Sequence, residues 1–80
     1  MMNATGNQMI QIMIHGRPAL ATPENAKVLL RKNDLVLKCM KLRWIPNPSA
    51  EINDEISAIT RKIISLNRKI QREGIHCFFQ

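Results

Sequence analysis

The sequence predicts a mainly α-helical α+β domain, in which a short N-terminal strand or hairpin precedes a long antiparallel helical hairpin. The first observation is a run of aliphatic residues at alternating spacings of four and three within residues 49–73, the heptad pattern of a helix that packs against another helix. The second is the alternation of isoleucine with Gln or Met over residues 10–14, which is the period of a strand. The helical seam consists of Ile52, Ile56, Ile59, Ile63, Leu66 and Ile70.

Length, charge and cysteine content limit what this domain can be. Its 80 residues suffice for one domain with a small core, so we expect two copies to dimerise as a four-helix arrangement that buries more apolar surface. The formal net charge of +6 favours polyanionic partners, either nucleic acid or an acidic protein. The two cysteines are distant and no long apolar run is present, so we expect a cytoplasmic protein without a signal peptide or membrane contact.

The N-terminal region divides at its glycine and proline residues. Residues 1–7 are small and polar, and we expect them to be disordered. Residues 8–21 are expected to form a strand over 8–15, a turn at 16–18 and a brief return strand over 19–21. The β part of the predicted fold lies in this region.

The first helix is expected over residues 22–45. Thr22 is a hydroxyl N-cap, and Pro23 suits the first helical position. One face carries residues at heptad spacing that we expect to match the seam of the second helix, namely Ala26, Leu30, Asn33, Leu37, Met40 and Trp44. The opposite face is also apolar, so we expect a second partner, in another subunit; its residues are Val28, Leu35, Cys39 and Leu42.

An alternative interpretation ends this helix at Asn33 and Asp34, which are poor helix formers, and makes residues 35–44 a strand. The run is rich in Leu, Lys and Met and contains almost no β-branched residues, which favours the helix. We therefore expect one continuous helix and keep the strand as its rival.

Residues 46–48 are expected to form the turn between the helices, because their two prolines interrupt any helix there. The second helix is expected over residues 49–73. Asn47 can cap it, and Pro48 suits its first position. Both helices are then long enough to pair along their length.

The C-terminal residues 74–80 are expected to form an apolar tail. Gly74 can end the preceding helix in a left-handed conformation, which glycine adopts without steric cost. Leaving Phe78 and Phe79 in water is unfavourable, so we expect the tail to dock on the core or on a partner.

The sequence does not suggest catalysis. Its serines have no convergent His and Asp partners, and it contains no glycine-rich phosphate loop. His76 and Cys77 are adjacent but lack the further ligands that zinc requires. We therefore expect no enzyme, metal site, cofactor or small-molecule substrate.

A basic stripe is the candidate functional site. Six of the twelve Lys and Arg residues lie within residues 27–43, where Asp34 is the one acid. The residues predicted to contact phosphates are Lys27, Arg31 and Lys38, which share a narrow stripe of the first helix, and Arg17 in the preceding turn. A solvated basic face without a ligand is the alternative interpretation of this stripe.

These features favour a small, basic, non-enzymatic regulatory protein that binds nucleic acid as a homodimer. We expect its ligand to be DNA rather than RNA and its role to be in transcription regulation. The alternative is a protein–protein interaction adaptor or inhibitor that acts through its coiled-coil helical hairpin and its apolar tail. Charge favours the first function. The surplus of aliphatic surface favours the second.

Overall fold

The structure, a computed structural model, describes residues 8–80 as a three-stranded antiparallel sheet and two helices. The elements in chain order are β1 (Ile10–Ile14), β2 (Arg17–Ala21), α1 (Pro23–Arg43), α2 (Ala50–Glu73) and β3 (Phe78–Phe79). The mainly helical α+β class and the helical hairpin are therefore confirmed. The predicted disorder of residues 1–7 lies outside the described residues.

β1 and β2 form a hairpin whose turn contains only His15 and Gly16. Both residues have positive φ, 51° and 78°, as a type I′ turn requires. Ile14 pairs with Arg17 across this turn. The predicted turn at residues 16–18 is therefore placed too late along the chain, and the return strand is longer than expected.

Pro18 lies inside β2, where the sequence suggests a turn residue. The backbone N and C=O of one residue in an antiparallel sheet point to the same neighbouring strand. The carbonyl oxygen of Pro18 accepts the N–H of Gln80 at 3.1 Å, so its nitrogen also faces the β3 side. Proline is tolerated here because its missing N–H removes no hydrogen bond between β1 and β2.

α1 is one continuous helix of 21 residues, which confirms the helical prediction and excludes the strand over residues 35–44. Thr22 is its N-cap, and the side-chain Oγ1 accepts the N–H of Asn25 at 3.3 Å. The helix ends at Arg43, two residues before the predicted end at residue 45. Trp44 is its C-cap.

Asn33 marks the point along α1 where the sheet ends. It is buried, and its Oδ1 accepts the backbone N–H of His15 at 3.1 Å, at the end of β1. β1 has 5 residues and spans about 17 Å. The rise of a helix from Pro23 to Asn33 is about 15 Å. The strands are therefore long enough to cover only the first half of α1.

α1 lies between the sheet and α2. The buried core on its sheet side consists of Ile12, Ala19, Ala21 and Ala26. The opposite face, where Cys39 is buried, packs against α2. This corrects the expectation that the face of Ala26 meets the seam of α2. Because Thr22 alone separates β2 from α1, the apolar side of the hairpin folds directly onto the neighbouring face of α1.

The ends of α2 differ in how well the sequence predicts them. Ser49 is the N-cap, and its Oγ accepts a backbone N–H of the first turn at 3.2 Å. The predicted cap at Asn47 and helix start at Pro48 are wrong, because Asn47 has a left-handed φ of 51° and an N-cap residue is extended. Gly74 ends the helix as predicted, with a φ of 65° and its N–H donated to the carbonyl of Ile70.

The tail docks on the sheet. Phe78 pairs with Leu20 and Phe79 with Ala19, so the tail adds β3 to the free side of β2. Both rings remain about half exposed. The predicted docking on the core is confirmed at Cys77, which packs against the core cluster, whereas the two phenylalanines dock through backbone pairing and not through ring burial.

Candidate binding surfaces

The seam of α2 is turned toward α1. Ile59 is buried and the other five seam residues, Ile52, Ile56, Ile63, Leu66 and Ile70, are half-buried. The outward side of α2 is exposed; Ile64, for example, is 46% exposed. The seam therefore packs within the chain, against α1.

The predicted stripe is exposed along one side of α1 and consists of Lys27, Arg31 and Lys38. Lys38 is partly neutralised, because its Nζ lies 3.3 Å from Oε2 of Glu55 on α2. The two side chains are 60% and 46% exposed, so this ion pair contributes only about 0.2–1 kcal/mol. Arg17 lies apart from the stripe, on β2, where its guanidinium is 4.7 Å from the centre of the Phe79 ring.

The ion pair between Lys38 and Glu55 defines which side chains face each other on this side of the hairpin. Because the two helices are antiparallel, the position one heptad before Lys38 on α1 and the position one heptad after Glu55 on α2 should also face each other, and we infer that Arg31 lies opposite Lys62. Neither cation has an ion-pair partner among residues 8–80. Lys27 lies about one turn from Arg31.

We call Lys27, Arg31, Lys38 and Lys62 the basic side of the hairpin. The sequence pattern alone does not identify Lys62 as part of this surface, because its assignment requires knowing which residues of α1 lie opposite it. The signal that finds this residue is the antiparallel alignment of the two heptads, anchored on Lys38 and Glu55. The basic side is therefore broader than the predicted stripe and spans two helices.

Residues 34–44, the second half of α1 together with its C-cap, are open on the side where the sheet covers the first half. Leu37, Met40 and Trp44 are 40%, 50% and 83% exposed. Together with Lys41 they line a shallow groove of about 340 Å³. We call this surface the open half of α1. These side chains were expected to match the α2 seam, and the structure leaves them exposed instead.

The part of the chain that the structure describes offers few other candidate sites. Residues 8–80 contain no group of three or more His, Cys, Asp and Glu side chains that can hold a metal ion. Cys39 is buried and Cys77 is half-buried, and both are free thiols. No helix in this region combines the length and apolar character needed to cross a membrane.

Comparison of the chain with models of protein families, with curated proteins and with solved structures finds no match in any of the three. The function proposed below is therefore inferred from the charge and geometry of the basic side and of the open half of α1.

Proposed function

We propose that this protein is a small, non-enzymatic regulatory protein that binds nucleic acid through the basic side of its hairpin. The observation that supports this proposal is that Lys27, Arg31 and Lys62 have no ion-pair partner among residues 8–80, while the alignment set by Lys38 and Glu55 places Arg31 and Lys62 on the same side of the hairpin. A duplex carries one negative charge per about 1.7 Å of its axis, and cations on two adjacent helices suit such a surface. The net charge of +6 acts in the same direction.

The contacts on the basic side are of the kind that hold a phosphate backbone. Lys and Arg bind phosphate oxygens, which position a protein on nucleic acid without reading its sequence. Lys38 contributes less than the others, because Glu55 competes with a phosphate for it. We therefore propose binding to duplex DNA with little sequence preference, carried by three cations in each copy.

A salt titration tests this proposal. Neutralising three phosphates predicts that log affinity falls with log salt concentration by about 2.7 units per decade, at about 0.9 per phosphate on duplex DNA. The triple change Lys27→Gln, Arg31→Gln and Lys62→Gln should remove most of this slope without changing the thermal melt. Fluorescence anisotropy with a labelled duplex measures the slope.

The matched control removes three cations from the outward side of α2, by changing Arg61, Arg68 and Arg72 to Gln. It carries the same net charge as the first variant and should keep most of the slope. Equal losses in the two variants would show that binding follows net charge alone. No binding of the unchanged protein to DNA or RNA at low salt would refute nucleic-acid binding altogether.

Association of two copies, as a homodimer with four helices, stays a prediction from the sequence and is tested separately. Each copy carries its own basic side, so DNA binding does not require the dimer. Dimerisation would double the number of phosphates contacted and the salt slope. Size-exclusion chromatography with light scattering at tens of micromolar decides this point, and a monomer at that concentration would refute the dimer alone.

A second candidate function, an adaptor or inhibitor that binds another protein, is favoured by a different observation. The open half of α1 leaves three large apolar side chains in water, whereas surface apolar groups gathered in one patch commonly mark a binding site. If this function holds, Lys41→Glu, in the groove and outside the basic side, should weaken partner binding and leave the DNA salt slope unchanged.

A further inference from the structure

The heptad-spaced side chains on the sheet side of α1 continue beyond the end of the sheet, with the same spacing in the covered and the exposed part. Ala26 and Asn33, under the sheet, are 1% and 9% exposed. The next positions at heptad spacing, Leu37, Met40 and Trp44, are large, apolar and uncovered within the described part of the chain. The open half of α1 thus has the side chains of a helix face that packs against a partner.

The geometry of this face selects a helix as its occupant. The open half of α1 is about 16 Å long, which is three helical turns. Its backbone N–H and C=O groups are bonded within the helix, so it offers no edge to which an extended strand can add. A helix fits this face because its backbone hydrogen bonds are satisfied internally and need no partner on α1. Anchors at spacings of three and four, such as Leu37, Met40 and Trp44, form the ridge that a second helix accommodates.

The charge around the groove selects an acidic occupant. Lys41 lines the groove itself, and Arg43 is a second cation of this half of α1, in which Asp34 is the one acid. Lys38 does not add to the charge at the groove, because it is paired with Glu55 of α2. A second copy would bring a further net charge of +6 to this face. Like charges placed across an interface are unfavourable, whereas acidic side chains opposite Lys41 are attracted and accelerate association.

We propose that the open half of α1 is a docking site for an amphipathic helix of another protein, with apolar residues on its inner face and Asp or Glu on its flanks. In the complex, the partner's apolar side chains cover Leu37, Met40 and Trp44, and its acids face Lys41. This inference rests on the adaptor function proposed above and is independent of DNA binding. The partner takes the place over the second half of α1 that the sheet takes over the first.

Trp44 makes the test direct, because it is the one tryptophan of the sequence and lies in the proposed site. The probes are two synthetic helical peptides of about 18 residues, or five turns, without tryptophan. They share one Leu stripe and differ only in having Glu or Lys on both flanks. The Glu-flanked peptide should shift the Trp44 emission to shorter wavelength in a saturable titration of the full chain, and the Lys-flanked peptide should bind at least tenfold more weakly.

Two variants with the same starting residue and the same exposure provide the matched comparison. Met40 and Met13 are each 50% exposed, the first in the groove and the second on β1. Met40→Gln should weaken binding of the Glu-flanked peptide by roughly tenfold or more, as loss of a central apolar anchor does. Met13→Gln should leave the affinity unchanged. Equal weakening in both variants would overturn the proposed site.

The remaining outcomes separate this inference from the adaptor function. If the Lys-flanked peptide binds as well as the Glu-flanked one, the acidic partner is wrong and the docking face remains. If neither peptide changes the Trp44 emission, both the inference and the adaptor function fail on this face. If the emission of the protein alone shifts with its own concentration, and light scattering shows a dimer, the open half belongs to a second copy.

Discussion

The two halves of α1 differ in what lies over the same stripe of side chains. In the first half the sheet covers Ala26 and Leu30, and Asn33 binds the end of β1. In the second half Leu37, Met40 and Trp44 face solvent. α2 lies against the opposite face of both halves, where Cys39 is buried. A heptad pattern therefore indicates that a helix face can pack, but the length of the neighbouring element decides how much of that face is used.

The two halves of α1 also differ in whether a substitution affects the stability of the fold or the binding of a partner. The first half is held on two faces, so changes there act on the fold. The second half is held only by α2, and changes on its open side remove no contact with the sheet. Substitutions at equivalent positions in the two halves should therefore differ sharply in their effect on the free energy of unfolding.

The largest effect is expected at the helix that supports both halves. Ile59→Asp places a carboxylate at a side chain that is only 4% exposed, so its desolvation should cost at least about 3 kcal/mol. A loss of that size is close to the whole stability of so small a domain. Ile64→Asp, on the outward side of the same helix at 46% exposure, should be tolerated. Circular dichroism melts that coincide for the two variants would mean that α2 faces α1 in another register.

An intermediate effect on stability is expected from the same Leu→Ala change at two positions one heptad apart, Leu30 and Leu37. Leu30→Ala removes a side chain that packs on the sheet core and should lower the free energy of unfolding by about 2 kcal/mol. Leu37→Ala removes a side chain that is 40% exposed and should lower it by less than about 0.5 kcal/mol. Urea unfolding followed by circular dichroism measures both values. A larger loss at Leu37 than at Leu30 would show that the second half is the covered one.

The smallest effect is expected at the boundary between the halves. Asn33→Leu leaves the backbone N–H of His15 without its side-chain acceptor and should cost about 1 kcal/mol. Asn53→Leu, at an exposed position of α2, controls for the change in helix propensity and should be neutral or slightly stabilising. Hydrogen exchange supplies the second reading: the amide of His15 should exchange faster in the first variant only. Unchanged exchange at His15 would mean that Asn33 does not hold the end of β1.

Local signals account for the parts of the fold that the sequence predicts well. The caps at Thr22 and Gly74 depend on atoms within four residues, and both are where the sequence places them. The continuous helix through Asn33 follows from the side chains on either side of it, which are good helix formers. Where one local signal competes with another, prediction is worse, as with Asn47 and Ser49 at the start of α2.

The hairpin turn shows how a distant contact overrides a local signal. Pro18 next to Gly16 suggests a turn that contains both residues. Its place inside β2 depends on which edge of that strand its nitrogen faces, and the neighbour on that edge is β3, about sixty residues further along the chain. Local sequence holds no information about that pairing.

The sequence by itself determined the class of the fold, the existence of both helices and the apolar seam of α2, because these depend on the period and chemistry of neighbouring residues. The tertiary structure alone decided which face of α1 meets α2. By sequence, either of the two apolar faces of α1 could pack against α2. The short link at Thr22 places the β1–β2 hairpin on one of these faces, which leaves the other for α2. The tertiary structure also fixed the alignment of the two helices through Lys38 and Glu55, from which we infer that Lys62 lies opposite Arg31. The sheet stops covering α1 at Asn33 because its strands are only five residues long.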